Sequence, residues 1–373
     1  MTERVTVNGK KVPELLLHPG LFVDRTTVIY GPSKTGKTVI VKNIMKQVYD
    51  HIEQVLLVAP TEPSNRSYAG FVDPSLIHYR MYLPDPTDKR DTEFKAAMRF
   101  LETVYKRQEM MAAIYTRANS LDTLSELYSR LSHTKRGRGD HHIASLQRMR
   151  RRVIDGVRRQ YACNLGQSDQ KVKEADEKFE KMLILVYKKF LTPNIESLWK
   201  EQDLNENERC CLYYLHFNPR LLLIFDDCAA QLKPFFNKEI FRKLFYQNRH
   251  SFITMIICCQ DDTDLPTNLR KNAFISIFTE TIVCTSNFDR GSNRFPKATK
   301  AYVAEIAPEV FIGFRKLAYI REDDKRQHFY HLTCTYPRPF LFGSNALSEL
   351  CATVRSEGVT MDTDNPFYEK FRV

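Results

Sequence analysis

Apolar residues fall into two patterns along this chain, and the patterns divide it. In the first they run unbroken: Val28-Ile29-Tyr30, Val55-Leu56-Leu57-Val58-Ala59, Leu221-Leu222-Leu223-Ile224-Phe225, Phe252 to Cys259 and Phe274 to Phe278, the last two with one polar residue each. Short continuous runs bounded by turn residues predict strands buried on both faces, the habit of a parallel sheet. In the second pattern they recur at helical spacing, at 94, 98, 101, 105, then 111, 114, 118, 121, 124, 128 and 131, and again at 172, 175, 179, 182, 186 and 190. The first series predicts one helix of roughly 50–60 Å at ~1.5 Å per residue, or two broken near Asn119-Ser120. The second predicts a helix capped at Ser168 or Asp169.

The expected arrangement is an α/β core in two parts, 1–84 and 201–373, separated by a helical insertion over 85–200. Asp85 to Asp91 is the break before the insertion. Alternation around Asn8-Gly9 predicts an N-terminal hairpin. A second, C-terminal β-hairpin is predicted from Leu317-Ala318-Tyr319-Ile320-Arg321, an acidic turn, and His328-Phe329-Tyr330-His331-Leu332. His328 and His331 then read as strand surface residues rather than ligands.

The first strand leads into Gly31-Pro32-Ser33-Lys34-Thr35-Gly36-Lys37-Thr38, which fits G-x-x-x-x-G-K-[ST], the phosphate-binding loop. Gly31 and Gly36 allow dihedrals and a close approach that a Cβ would block. Lys37 can reach the β- and γ-phosphates of ATP, and Thr38 can ligate Mg²⁺. The helix expected from Lys37 to Tyr49 points its positive end at the anion. Strand, helix, strand in succession predicts a parallel βαβ unit, with Thr61 and Glu62 near the ligand edge.

Two later strands end in residues that suit the same site. Leu221 to Phe225 ends in Asp226-Asp227, matching the Walker B pattern. Asp226 would hold Mg²⁺ directly or through water, and Asp227 sits where a general base could polarise the attacking water. The strand ending at Cys259 is followed by Gln260, which could orient that water.

Composition adds a partner. The chain has 373 residues, 43% of them hydrophobic, enough for a substantial core, and a formal net charge of +11. Between 135 and 159 nine lysines and arginines stand against Asp140 and Asp155. Such a cluster reads as a contact to nucleic-acid phosphates, or otherwise as a solvated basic loop. Nine cysteines, several inside apolar runs and none in a C-x-x-C pair, read as reduced buried residues, with no structural metal expected. No run approaches the ~18 apolar residues of a membrane span, and the first residues lack an apolar secretory core.

Taken together, Gly31 to Thr38, Asp226-Asp227, Arg249-His250, Gln260, Leu265-Pro266 and Arg270 stand in the order found in the poxvirus-type DNA-packaging ATPases. That family lies within the FtsK–HerA superfamily and extends across the nucleocytoplasmic large DNA viruses. The resemblance covers about 21–84 and 215–320, and within the family it looks most like the African swine fever virus representative. It implies an α/β P-loop NTPase with a mainly parallel, additional-strand (ASCE-type) sheet, the Gln260 strand lying between the Walker A and Walker B strands. It implies a homo-oligomeric ring, a hexamer favoured, that moves viral double-stranded DNA into a virion at assembly sites in the host cytoplasm, with a capsid or portal-type partner. An arginine from a neighbouring subunit completes such sites, and Arg270, then Arg249, are the candidates. Two features depart from the pattern: Asp227 stands where many of these motors carry Glu, and the insertion is larger than usual. A phosphotransferase using the 135–159 cluster as a lid, or a nucleotide-gated assembly scaffold, are the alternatives.

Overall fold

The computed structural model describes residues 5–7, 10–79, 92–201, 203–321 and 328–356. Two compact units emerge: Met1–Met110 with Asn218–Val373, and Met111–Phe217. The expected insertion over 85–200 therefore begins and ends too early. The reason is packing. Ala97, Leu101, Val104 and Tyr105, at the start of the Glu93–Ala118 helix, are buried in one cluster with Leu223, Phe225 and Phe241. At the other boundary, Leu204, Cys211, Leu212 and Leu215 share a core with Leu124, Leu127 and Leu191.

The first unit is built on an eight-stranded sheet. A two-stranded antiparallel pair, β1 (Val5–Val7) and β2 (Lys10–Val12), precedes it, and the Asn8-Gly9 turn lies outside the described residues. The sheet strands are β3 (Thr26–Tyr30), β4 (Gln54–Val58), β5 (Ile77–His78), β6 (Leu221–Phe225), β7 (Ile253–Cys259), β8 (Ile275–Phe278), β9 (Lys316–Ile320) and β10 (Phe329–Leu332). Their order is β10-β9-β8-β3-β7-β6-β4-β5. All neighbours from β8 to β5 are parallel; β9 and β10 add antiparallel at one edge. The fold is thus an α/β P-loop NTPase sheet, with β7 inserted between β3 and β6.

The unbroken apolar runs follow from burial on both faces. Val28 and Tyr30 pack into one cluster and Ile29 into the other; Leu221, Leu223 and Phe225 alternate with Leu222 and Ile224 in the same way. Truncating such a residue to Ala costs about 2–5 kcal/mol. Cys228, Cys258, Cys259 and Cys284 are buried in this packing.

At the C-terminal edge β9 and β10 form the expected hairpin, its acidic turn outside the described residues, as is the Asp85–Asp91 break. His331 departs from expectation. It is buried, with Nδ1 3.0 Å from the Val12 carbonyl, because the segment after β2 lies against β10. His328 is half-buried, its Nδ1 3.1 Å from the Ile320 carbonyl.

The second unit is helical. The long series is two helices, Glu93–Ala118 and Leu121–Ser129, because Ser120 takes extended dihedrals and its hydroxyl accepts from the Thr123 N–H. The basic cluster, read above only as a run of charge, is mostly a helix, Gly139–Gln160, with Ile143, Leu146, Val153 and Val157 at helical spacing. The next helix, Leu165–Leu191, starts earlier than expected, with Asn164 rather than Ser168 or Asp169 as its cap. A carboxylate with no solvent exposure, Glu208, closes a capping box with Asn205 and pairs with Arg130. Among the described residues no helix is long and apolar enough to cross a membrane.

Candidate nucleotide-phosphate site

The site is assembled from the carboxyl ends of β3, β6 and β7. Between Tyr30 and α1 (Lys37–Val48) the chain makes a loop whose shape only some residues permit. Gly36 lies at φ +94° and Lys34 at φ +66°. A Cβ on Gly31 would sit 1.6 Å from Thr279 Oγ1, so the loop cannot close against β8 with any larger residue there. Thr279 Oγ1 donates to Thr35 Oγ1 (2.6 Å), and Thr35 Oγ1 donates to the Pro32 carbonyl (2.8 Å). Ser33 and Lys34 are exposed at the loop's crest.

Lys37 is buried, and its ammonium donates to the Gly31 (2.6 Å) and Pro32 (2.9 Å) carbonyls. The cation rests on the loop's own oxygens, directly beside the cradle. One residue on, Thr38 Oγ1 donates to Asp226 Oδ2 (3.2 Å). Asp226 is 7% exposed and its main-chain N–H donates to the Val58 carbonyl at the end of β4. Asp227 is held at φ +55°, unusual for a residue with a side chain. Its Oδ1 accepts from Gln260 Nε2 (2.8 Å). Gln260 itself is fixed by its main-chain N–H, which donates to Asp264 Oδ2 (2.8 Å). Lys37, Thr38, Asp226, Asp227 and Gln260 are therefore brought to one edge of the sheet.

Three participants have no motif in the sequence. Tyr68 is buried and its phenol donates to Asp226 Oδ2 (2.7 Å), the same oxygen that accepts from Thr38. Burial, then the Asp226 charge, pushes that phenol well above its ordinary pKa, so it stays a donor. Glu62, buried at the edge foreseen for it, accepts from the Tyr68 N–H (2.8 Å) and thereby fixes the tyrosine; burial raises its pKa. Lys42, one helical turn beyond Thr38, is 1% exposed; it donates to Tyr336 Oη (2.6 Å) and lies 4.3 Å from the Phe71 ring centroid. Only the fold brings these distant segments together.

The hydroxyl of Thr38 and the carboxylate of Asp226 are hard oxygen donors in contact, the set that suits Mg²⁺. The loop that a Cβ would fill is the matching feature for phosphate.

Arg270 is a correction. Arg270 is 9% exposed, and its guanidinium donates to Asp262 Oδ2 (2.5 Å), the Asp262 carbonyl (3.0 Å) and Thr267 Oγ1 (2.9 Å). Asp262, with no exposure, also takes both arms of Arg290. A buried pair of this kind costs about 3–5 kcal/mol to break by removing one partner, so Arg270 holds the segment after Gln260 rather than reaching a neighbour. Arg249 is exposed, but it precedes β7 and so lies at the amino-terminal end of the strands, opposite the loop and acids. Its charge acts on Asp24, just before β3.

In the helical unit, Arg148, Arg150, Arg151, Arg152, Arg158 and Arg159 are all exposed on the Gly139–Gln160 helix. Arg150 alone among them is engaged in an ion pair within the described residues, donating to Asp176 Oδ1 (2.8 Å).

No protein-family profile matches the chain. It is 52% identical over 368 residues to uncharacterized protein B354L of African swine fever virus, isolate Warthog/Namibia/Wart80/1980, spanning 99% of this chain and 98% of that protein. The counterpart from isolate Pig/Kenya/KEN-50/1950 matches to the same extent. Among solved structures, the genome packaging NTPase B204 from Sulfolobus turreted icosahedral virus 2, in complex with ATP-gammaS, superposes with a TM-score of 0.32 at 14% identity, over 84% of this chain and 98% of that one. VirB4 of Thermoanaerobacter pseudethanolicus gives 0.34 at 11% identity, over 84% and 89%.

Proposed function

This chain belongs to the family of African swine fever virus protein B354L, and from the geometry of its site we propose that it is an ATP-hydrolysing motor that moves double-stranded DNA. The observation that carries the reading is the convergence, at one sheet edge, of Lys37 and Thr38 with Asp226 and the Asp227–Gln260 pair. That set is built to activate water as the acceptor of the phosphoryl group.

Lys37 exchanges the Gly31 and Pro32 carbonyls for the β- and γ-phosphates of ATP. Thr38 and Asp226 hold Mg²⁺, which when bound supplies charge neutralisation at the phosphates. Asp227 Oδ1 takes the proton of the attacking water, and the Gln260 amide, already bonded to that carboxylate, orients it. An aspartate in this role reaches less far than a glutamate, and the left-handed backbone at Asp227 helps set where its carboxylate lies.

The exposed arginines of the Gly139–Gln160 helix and the net charge of +11 support duplex DNA as the partner. The wider reading is a homo-oligomeric ring, six subunits favoured, packaging viral DNA at assembly sites in the host cytoplasm with a capsid or portal-type partner. With Arg270 engaged internally, a cation supplied across subunits would come from Arg249 or from another exposed arginine.

Steady-state ATP hydrolysis with and without duplex DNA, at low and moderate salt, tests the proposal. Stimulation by DNA that fades as salt rises is the expected result. Turnover indifferent to DNA, together with phosphate transfer to an added nucleoside, would replace the motor with a phosphotransferase. Tight ATP binding without turnover would leave a nucleotide-gated scaffold.

A further inference from the structure

A second cation lies on the phosphate loop, on the side away from the acids. β9 runs antiparallel to β8, with Leu317 opposite Phe278, so Lys316, the first residue of β9, comes to the carboxyl end of β8. There its ammonium donates to the Thr279 carbonyl (3.2 Å). Thr279 is the residue whose hydroxyl bonds Thr35 and whose side chain bears on Gly31. The Lys316 Cε is 3.8 Å from the position a Cβ would take on Gly36. The side chain thus runs along the Thr35–Gly36 stretch of the loop.

Its partners match those of Lys37. Both ammonium groups rest on main-chain carbonyls, and among the described residues neither is neutralised by a carboxylate ion pair. Lys316 is half-buried, and burial lowers its pKa from the usual lysine value. Cys334 and the Glu280 carboxylate act on it electrostatically, but its hydrogen bond goes to a neutral carbonyl, and a partly desolvated cation so placed gains from an anion beside it.

The sheet order decides which part of the anion. Asp226, Asp227 and Gln260 follow β6 and β7, on one side of β3; Lys316 comes from β8 and β9, on the other. We propose that Lys316 is a second phosphate-binding lysine, which grips the part of the phosphate chain remote from hydrolysis and common to ATP and ADP. This rests on the nucleotide-site reading above. Lys316 holds nucleotide before and after cleavage, while the groups on the far side distinguish the two states.

The test is equilibrium binding of fluorescent ADP and of a fluorescent, non-hydrolysable ATP analogue to the full chain. Lys316→Gln keeps an N–H for the Thr279 carbonyl and removes only the charge; Lys316→Arg keeps the charge; Lys37→Gln is the reference. Lys316→Gln is expected to weaken both nucleotides about tenfold, by factors that agree within about threefold, with Lys316→Arg restoring most of the affinity. Unchanged affinity in Lys316→Gln, a loss confined to the ATP analogue, or equal weakening in the Gln and Arg variants would overturn the proposal. Wild-type protein that binds neither nucleotide would instead remove the site reading on which it rests.

Discussion

A carboxylate as buried as Asp226 needs donors, and its Oδ2 accepts from the hydroxyls of residues 38 and 68, with the Cys258 thiol beside it. Tyr68→Phe removes one of the two hydroxyls with little change in volume, leaving Thr38 and the Cys258 thiol to orient the acid. Loss of an outer partner of this kind typically costs 10–100-fold in metal affinity, so the Mg²⁺ concentration for half-maximal hydrolysis should rise at least about tenfold. An unchanged Mg²⁺ titration would reduce Tyr68 to packing. Asp227→Asn should leave ATP binding intact and stop hydrolysis, whereas Lys37→Ala should abolish turnover; a nucleotide-binding assay beside phosphate release separates the two. Gly31 to Thr38, Asp226-Asp227 and Gln260 were legible because each motif is local and its chemistry fixes its spacing. Tyr68, Thr279 and Lys316 were not, since each reaches the loop or the acids from a segment remote in sequence. Arg270 shows the converse: its order in the chain suggested a role in trans, and only the fold shows that Asp262 claims its charge.

The elements were readable to unequal degrees. Strands buried on both faces announce themselves as unbroken apolar runs, and β3, β4, β6, β7 and β8 did so. The Gly139–Gln160 helix does carry an apolar stripe, Ile143, Leu146, Val153 and Val157, but these four are separated by dense basic residues, and the run of charge was read in place of the periodicity. Its geometry now sorts its charges. Arg150 is committed to Asp176 on the Leu165–Leu191 helix, while Arg151 and Arg152 carry no such pair within the described residues. Neutralising Arg151 or Arg152 to Gln should lower the salt slope of DNA binding by up to about 0.9 for each phosphate left without its cation. Arg150→Gln should lower it less, because its charge is already partly compensated. Fluorescence anisotropy of labelled duplex across a salt series checks the ranking; equal slopes in all three variants would show that the helix is not where DNA binds.

At the scale of the molecule, the boundary between the units was hidden because one helix, Glu93–Ala118, crosses it without a break. Its first turns bury Ala97, Leu101 and Val104 against the sheet, while its last residues belong to the other unit. The two chain positions where the second unit joins are nonetheless tied together inside the first. Gln108 Nε2 donates to the carbonyls of Pro219 (2.9 Å) and Ser251 (3.2 Å), and Arg107 bonds both Gln108 and Gln54. Ends held so closely can be joined by a short Gly/Ser link at small entropic cost, since loop closure becomes less costly as the loop shortens. Replacing 111–217 by such a link leaves every strand, the phosphate loop, Asp226, Asp227, Gln260 and Lys316 in place. The shortened chain should melt cooperatively and bind nucleotide as the full chain does, and should lose the salt-dependent part of its DNA affinity, because Arg148, Arg151, Arg152, Arg158 and Arg159 leave with the helical unit. Full-strength DNA binding after excision would transfer the duplex-binding surface to the sheet unit. Loss of nucleotide binding, in a chain that still melts cooperatively, would mean that the helical unit supports the site although none of the residues assigned to it lie there.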